Sequence, residues 1–147
     1  MPNTIETLTP AELASLLRVA VWRTARRMRA ESDPGITPTL HAALHTVETH
    51  GPLTPGQLAE HERVTKPTMT RTIRGLLEAG LVIRTPDPLD GRVSWLQVTP
   101  EGSRLLARSR RRTDEFLARR LKHLPADERD VLAAATTILE RIARSDR

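Results

Sequence analysis

The amino-acid sequence predicts a mainly α-helical fold with one small β-ribbon. Apolar residues recur at helical spacing over most of the chain, as they do in amphipathic helices. Thr-Pro pairs supply helix starts, because each hydroxyl can cap backbone amides and proline suits the first helical turn. The four pairs are Thr9-Pro10, Thr37-Pro38, Thr54-Pro55 and Thr99-Pro100. Only residues 81–98 depart from this pattern, with two runs rich in β-branched residues on either side of a long turn.

The composition fits one folded domain of ordinary size. A chain of 147 residues can bury a core without disulfides or a structural metal, and a single domain over residues 1–147 is predicted. The sequence contains no cysteine, which excludes thiolate nucleophiles, disulfide scaffolds and cysteine-based zinc sites. No apolar run approaches the roughly 20 residues of a membrane span, and no basic region followed by an apolar core begins the chain. A cytoplasmic location is therefore expected.

Long amphipathic helices are predicted at both ends of the chain. The first covers residues 9–31 and ends at Asp33-Pro34-Gly35. Two more cover residues 100–145, one ending near His123 and the other beginning after Pro125. Their apolar stripes are too extensive to be buried within one protomer, so these helices are predicted to form the dimerisation region of an obligate dimer.

Residues 37–100 predict a compact lobe between those helices. Its expected elements are a helix over 38–50, a short helix over 55–62, a helix capped by Thr65 that ends at Ala79-Gly80, and strands over 81–85 and 93–98. This order is that of a winged helix-turn-helix. The predicted fold class is thus mainly α with a small β-wing, a winged helix-turn-helix lobe flanked by N- and C-terminal dimerisation helices.

The helix that follows the tight turn carries side chains suited to a nucleic acid. No acidic residue occurs between Val64 and Leu77, and polar residues lie opposite or beside the apolar positions. These polar residues are Thr65, Lys66, Thr68, Thr70, Arg71 and Arg74. Any amphipathic surface helix also has a polar face, so this observation alone leaves DNA binding open. Three aromatic residues are too few for a reader of unpaired bases, which favours a duplex over single strands.

Four stretches of the sequence carry a more specific signal. They are Leu58-Ala59-Glu60, Val64-Thr65-Lys66-Pro67-Thr68-Met69-Thr70-Arg71, Leu76-Leu77-Glu78-Ala79-Gly80-Leu81-Val82, and Asp87-Pro88-Leu89-Asp90-Gly91-Arg92 through Leu96-Gln97-Val98-Thr99-Pro100-Glu101-Gly102. Together they resemble the multiple-antibiotic-resistance regulator (MarR) family, over nearly the whole chain in layout. The wing signature is the most specific part: an Asp-x-Arg, a strand ending in an apolar-Thr pair, and a glycine three residues later. Departures from the family pattern are Gly91, Val98 and Glu62-Arg63, where a second arginine, a leucine and an apolar-Gly pair are usual.

The resemblance implies a homodimeric regulator of transcription that binds a palindromic DNA duplex, usually as a repressor. By this analogy Arg92 enters the minor groove from the wing tip, and Asp90 orients it through an ion pair. Thr68, Thr70, Arg71 and Arg74 match the family's major-groove positions.

The resemblance also implies a site for a small effector. The family commonly binds aromatic or phenolic anions in the cleft between the dimer helices and the DNA lobe. Residues placed to line such a cleft are Trp22, Arg26, His41 and His45. They offer a stacking face and cationic or donor groups, although a packed tryptophan and surface histidines would explain the same residues.

Catalysis and metal binding are not expected. His41 and His45 are four residues apart on a helix, but no third ligand has recognisable spacing. Asp127, Glu128 and Asp130 begin the final helix, where negative charge suits the helix dipole. Neither a Gly-x-Ser-x-Gly elbow nor a phosphate-binding glycine loop occurs. The sequence therefore predicts neither an enzyme nor a cofactor.

Two other functions compete with a sequence-specific regulator. A nonspecific architectural DNA-binding protein would need a broad basic face, whereas the basic residues of this lobe are confined to the recognition helix and wing. A ligand-binding or protein-interaction module without operator binding would not need polar or basic residues at every expected DNA-facing position. Both alternatives are disfavoured on these grounds.

Overall fold

The computed structural model describes residues 8–32 and 34–144 and has the predicted mainly α fold with a small β-wing. The elements are α1 (Pro10–Ala30), α2 (Pro38–His50), α3 (Pro55–Glu62), α4 (Lys66–Glu78), β1 (Val82–Pro86), β2 (Ser94–Val98), α5 (Pro100–Leu121) and α6 (Ala126–Arg144). The chain divides into two compact units, residues 1–113 and 114–147, so α5 contributes to both. Asp33, in the predicted break after α1, and residue 145, in the predicted dimerisation region, lie outside the described residues.

The threonine caps explain where the helices begin. Thr9, Thr37, Thr54 and Thr65 are the N-caps of α1 to α4, and each side chain accepts a hydrogen bond from the amide three residues later. At Thr9 and Thr54 the reciprocal bond to the third helical side chain is also present, which completes both predicted capping boxes. Thr99 accepts a bond from the Gly102 amide (3.1 Å) and begins α5 in the same way.

The hydrophobic core lies in the first unit, where α2, α3, α4 and the first turns of α5 meet the ribbon. The side chains of Leu44, Leu58, Leu76 and Leu96 are completely buried there. Leu53 and Leu96 exchange two backbone hydrogen bonds (3.2 and 2.8 Å), which fixes β2 to the segment between α2 and α3. The ribbon is therefore held on the same core that positions α4.

The two strands begin and end one residue later than predicted, except at the shared end Val98. They pair antiparallel from Val82 opposite Val98 to Pro86 opposite Ser94. Leu81 donates its amide to the Leu76 carbonyl (2.9 Å) and so closes α4 instead of beginning β1. Val93 donates its amide to the Asp90 carbonyl (2.9 Å) and so closes the wing turn. These local bonds compete with strand pairing, and periodicity alone does not show them.

Arg63 adopts a left-handed backbone conformation in the turn between α3 and α4, with φ 52° and ψ 44°. It is the only non-glycine residue with positive φ in the described part of the chain. The conformation ends α3, because the Arg63 amide bonds back to the carbonyls of Ala59 and Glu60. In the family pattern that the sequence resembles, glycine is usual at this position, and glycine adopts a left-handed conformation without steric cost.

Arg63→Gly is therefore expected to raise the free energy of unfolding by about 1 kcal/mol, because it removes the clash that a β-carbon makes in this conformation. Urea unfolding followed by circular dichroism measures the change. Arg63→Ala is the matched control, since it removes the same charge and keeps the β-carbon. Equal stabilisation by the two variants would attribute the effect to charge and not to backbone conformation.

Candidate nucleic-acid interface

Helix α4 has one side packed on the core and one side open to solvent. Met69, Thr72, Ile73 and Leu76 are buried. The predicted DNA-facing residues are all exposed: Thr65, Lys66, Thr68, Thr70, Arg71 and Arg74. None of the three cations among them takes part in an ion pair with any residue in 8–32 or 34–144. The open side is therefore positively charged, and its cations are available to an anionic partner.

The hydroxyl groups on this side are partly committed to the helix itself. Thr70 donates its hydroxyl hydrogen to the Lys66 carbonyl (2.9 Å). The hydroxyl oxygens of Thr65 and Thr68 lie 3.0 Å apart and share one hydrogen bond. With its hydrogen used, Thr70 can still accept a bond from a base amino group or place its methyl against a thymine methyl. While this bond is kept, Thr70 can contact bases as an acceptor or through its methyl group.

Arg84 on β1 is a further basic residue of this surface, and the sequence analysis missed it. It lines a cleft of about 220 Å³ together with Thr70 and Arg74. Its Nε donates to Ser94 Oγ (2.8 Å), which holds the side chain across the ribbon. In a half-buried strand, alternating apolar and polar residues would have shown that Arg84 faces solvent. In β1, however, only Val82 is buried, so the sequence shows no such alternation around Arg84.

A second cavity adjoins the first near the starts of α3 and α4. It has a volume of about 270 Å³ and is lined by Pro55, Gly56, Lys66, Met69 and Thr70. Pro55 and Thr70 line both cavities, so Thr70 lies between the cations Lys66 and Arg74. Residues on the exposed side of α4 therefore line both cavities.

The wing tip holds the expected ion pair between Asp90 and Arg92. Arg92 Nε lies 3.0 Å from Asp90 Oδ1, and Arg92 Nη2 lies 3.2 Å from Asp90 Oδ2. The Arg92 amide also donates to Asp90 Oδ1 (3.1 Å). The guanidinium, and then this amide, hold the pKa of the Asp90 carboxyl below its usual range. Because the Arg92 side chain is 92% exposed, the pair restrains the direction of a cation that points into solvent.

Asp87 and Trp95 organise the base of the wing, and the sequence analysis missed both. Trp95 Nε1 donates to Asp87 Oδ2 (2.8 Å). Asp87 Oδ1 accepts the amides of Leu89 (2.8 Å) and Asp90 (3.0 Å). The Trp95 bond first, followed by the two amides, lowers the pKa of Asp87, so it is ionised at neutral pH. The sequence did not single out Asp87, because an aspartate before proline is common in any turn.

Similarity to known proteins agrees with this geometry. The MarR family model matches residues 36–94. An HTH-type transcriptional regulator of Mycobacterium leprae is 42% identical over 137 residues, which are 92% of this chain and 96% of that protein. The chain belongs to the MarR family. It is accordingly a transcriptional regulator of the winged helix type and not an enzyme.

Solved structures show the same fold as this MarR-family chain. A transcriptional regulator from Pseudomonas aeruginosa superposes with a TM-score of 0.84 at 32% identity, over 95% of this chain and 99% of that chain. A mutant of MepR from Staphylococcus aureus, bound to an oligodeoxyribonucleotide, superposes with a TM-score of 0.70 at 20% identity, over 94% of this chain and 100% of that chain. At 20% identity, the similarity to MepR shows a shared fold and nothing more.

The four predicted effector residues of this MarR-family chain do not all line one cavity. A cavity of about 270 Å³ beside the connection from α1 to α2 is lined by Arg29, Ala30, Ser32, Pro34, Ile36, Pro38, His41 and Ala42. Of the predicted set, only His41 belongs to this lining. Trp22 and Arg26 contact each other on α1, with Arg26 Cζ 5.7 Å from the ring centroid. His45 Nδ1 lies 2.8 Å from Thr49 Oγ1.

The described residues were searched for metal sites and for membrane-spanning helices. Among the described residues, no group of three or more His, Asp or Glu side chains has the arrangement of a metal site. In the same part of the chain, no helix is both long and apolar enough to cross a bilayer.

Proposed function

We propose that this MarR-family regulator acts as a homodimer that binds a palindromic DNA duplex specifically, as a repressor released by a small aromatic or phenolic ligand. The exposed cationic side of α4, with the restrained Arg92 on the same lobe, carries the proposal. A helix of this width fits the major groove, and an arginine on a projecting ribbon suits the minor groove beside it. The MepR mutant that shares this fold was solved bound to an oligodeoxyribonucleotide, which supports DNA as the partner.

The test of specificity compares DNA sequences under one set of conditions. Fragments of the source genome are selected for retention by the protein, and the enriched duplex is compared with a shuffled duplex of the same composition at two salt concentrations. We expect a specific site with dyad symmetry. Equal affinity for both duplexes would indicate an architectural protein, and no binding to either would indicate an interaction module.

Dimerisation is supported by apolar faces that a single chain leaves open. Neither α1 nor α6 contains a buried residue. Leu16 and Trp22 on α1 are 59% and 56% exposed, and Val131 and Ile142 on α6 are 68% and 59% exposed. Large apolar side chains that are exposed along the length of a helix are typical of surfaces that become covered in homo-oligomers. A two-fold dimer would also match the symmetry of a palindromic site.

Sedimentation at micromolar protein concentration is expected to give about twice the chain mass of 16.4 kDa. Val131→Glu places a charge on the open face of α6 and should shift the equilibrium towards the monomer. Ala133→Glu, at an exposed position on the same helix but outside the apolar stripe, is the control for the added negative charge. A single species of 16.4 kDa for the unmodified protein would contradict the dimer.

The cavity beside the connection from α1 to α2 is the proposed effector site. Its mainly apolar lining suits one aromatic ring, and Arg29 and His41 supply polar groups that suit a phenolate or carboxylate. Trp22, Arg26 and His45 stay predictions for a wider cleft that the dimer would complete.

Release of operator DNA by 2-hydroxybenzoate is expected to need about tenfold more ligand in Arg29→Ala, because one charge-assisted hydrogen bond is lost. Fluorescence anisotropy of labelled operator measures release. Arg26→Ala removes the same charge one turn earlier on α1 and separates the two sites. If Arg26→Ala loses the response and Arg29→Ala keeps it, the ligand occupies the wider cleft.

A further inference from the structure

The wing of this protein is a turn with little packing of its own. Leu89, at the tip, is 96% exposed, and apart from Gly91 and its two chain neighbours no heavy atom lies within 4 Å of where a β-carbon on Gly91 would stand. Hydrogen bonds are therefore the main restraint on where the tip lies. Without them, residues of such a turn would sample many conformations, and ordering them on DNA would cost affinity.

Those hydrogen bonds form one connected path from β2 to Arg92. Trp95 donates its indole hydrogen to Asp87, Asp87 accepts the Asp90 amide, and the Asp90 carboxylate holds the Arg92 guanidinium. The Asp87 amide also donates to the Val93 carbonyl (2.9 Å), which ties the two arms of the turn together. Each step is a direct bond, so a displacement of Asp87 changes the position of Asp90 and with it that of Arg92.

Trp95 is the fixed end of this path. It is half-buried and lies in β2 opposite Thr85, next to Leu96 in the core. An indole offers a hydrogen-bond donor and no acceptor, and in a partly buried position it usually has a partner. The carboxylate of Asp87 is that partner. The path is therefore attached to the ribbon by a rigid side chain, whereas every other member belongs to the turn itself.

We propose that Trp95 is a positioning residue for DNA binding, which acts through Asp87 and Asp90 to present Arg92 to the minor groove. The inference rests on the proposed DNA-binding function. It adds two residues, Trp95 and Asp87, that need not touch DNA. A purely structural role for Trp95 would affect the stability of the ribbon, but it would not make the effect of Trp95 depend on Arg92.

Two variants break the path at different bonds. Trp95→Phe keeps an aromatic ring in β2 and removes the indole donor. Asp87→Asn keeps the size of the side chain but turns one acceptor into a donor, so at least one of its three accepted bonds is lost. Asp114→Asn is the control for the charge change, because Asp114 is an exposed aspartate on α5 outside the lobe.

The decisive measurement is operator affinity with and without Arg92. Trp95→Phe and Asp87→Asn are each expected to weaken binding about two- to tenfold, the equivalent of one hydrogen bond. In an Arg92→Ala background neither should weaken it further, and combining the two should cost no more than either alone. Equal losses with and without Arg92, or no loss in the unmodified background, would overturn the proposal.

A measurement on the free protein keeps this test separate from the proposed function. The Nε–H resonance of Arg92 in a nitrogen-15 spectrum reports its bond to Asp90 without DNA. It should shift and exchange faster in Trp95→Phe, while the unfolding temperature stays within about 4 °C of the original. An unchanged resonance would overturn the path itself. If the resonance changes but no duplex is bound specifically, the DNA-binding function fails, and with it the role proposed for Trp95.

Discussion

Gly102→Ala is expected to lower the free energy of unfolding by about 2 kcal/mol or more, because a β-carbon has no space at this position. It would overlap the Leu81 carbonyl oxygen and lie 2.8 Å from Val98 Cγ1. The Leu81 carbonyl cannot move away freely, since it accepts the Thr99 amide (3.0 Å). The gain of roughly 1 kcal/mol in helix propensity on replacing glycine by alanine offsets only part of this cost.

Gly56→Ala is the matched control for this substitution. Gly56 also lies in the first turn of a helix, and the nearest heavy atom to its added β-carbon would be Thr54 Oγ1, at 3.9 Å. Urea unfolding should therefore show Gly56→Ala as stable as the original protein or slightly more so. If Gly102→Ala behaved in the same way, the junction between the ribbon and α5 would have to be more adaptable than these distances indicate.

This junction gives a physical reason for part of the wing signature. Thr99 donates its hydroxyl to the Gly80 carbonyl (2.7 Å) and accepts the Gly102 amide, so it joins the end of α4 to the start of α5. Position 102 has no space for a β-carbon, because α5 passes directly over the Leu81 carbonyl there. The pattern of a threonine followed three residues later by glycine therefore specifies how a helix leaves the ribbon. The motif is short in sequence, but it specifies contacts with Gly80 and Leu81 at the end of α4.

The parts of the site that could be predicted are those set by neighbours in sequence. The caps of α1 to α4 depend on residues three positions apart, and the polar side of α4 follows from helical periodicity. The ion pair of Asp90 with Arg92 spans two residues. By contrast, the bond of Trp95 to Asp87 and the position of Arg84 depend on the register of β1 against β2, which the sequence does not determine to a single residue.

The lining of the cavity proposed as the effector site was not predicted from the sequence, for a different reason. The rotation of a helix is determined by the face it buries, and α1 buries no residue within one chain. Its own pattern therefore does not determine which of its arginines lines the cavity. The sequence pointed to Trp22 and Arg26, whereas Arg29 is the residue of α1 that lies beside His41 in the cavity lining.

Arg71→Ala is expected to weaken operator binding by about 1–3 kcal/mol, or roughly 5- to 150-fold, and to change binding to a random duplex much less. Arg71 is exposed on α4 and has no carboxylate partner in the described part of the chain. A guanidinium in this position can bond two acceptors of one guanine, which discriminates between base pairs, whereas phosphate contacts only position the protein. Competition titrations with operator and shuffled duplexes measure both affinities.

Thr70 provides the comparison that separates base reading from charge on this surface. The Thr70 hydroxyl donates its hydrogen to the Lys66 carbonyl. If the threonine methyl makes the contact with the base, Thr70→Val should therefore bind the operator nearly as well as the original protein. Thr70→Ala then loses about 1 kcal/mol on the operator alone. Arg71→Lys keeps the charge but not the planar pair of donors, and it should resemble Arg71→Ala on the operator and the original on random DNA. Equal losses on both duplexes for Arg71→Ala, with recovery in Arg71→Lys, would instead make Arg71 a phosphate contact.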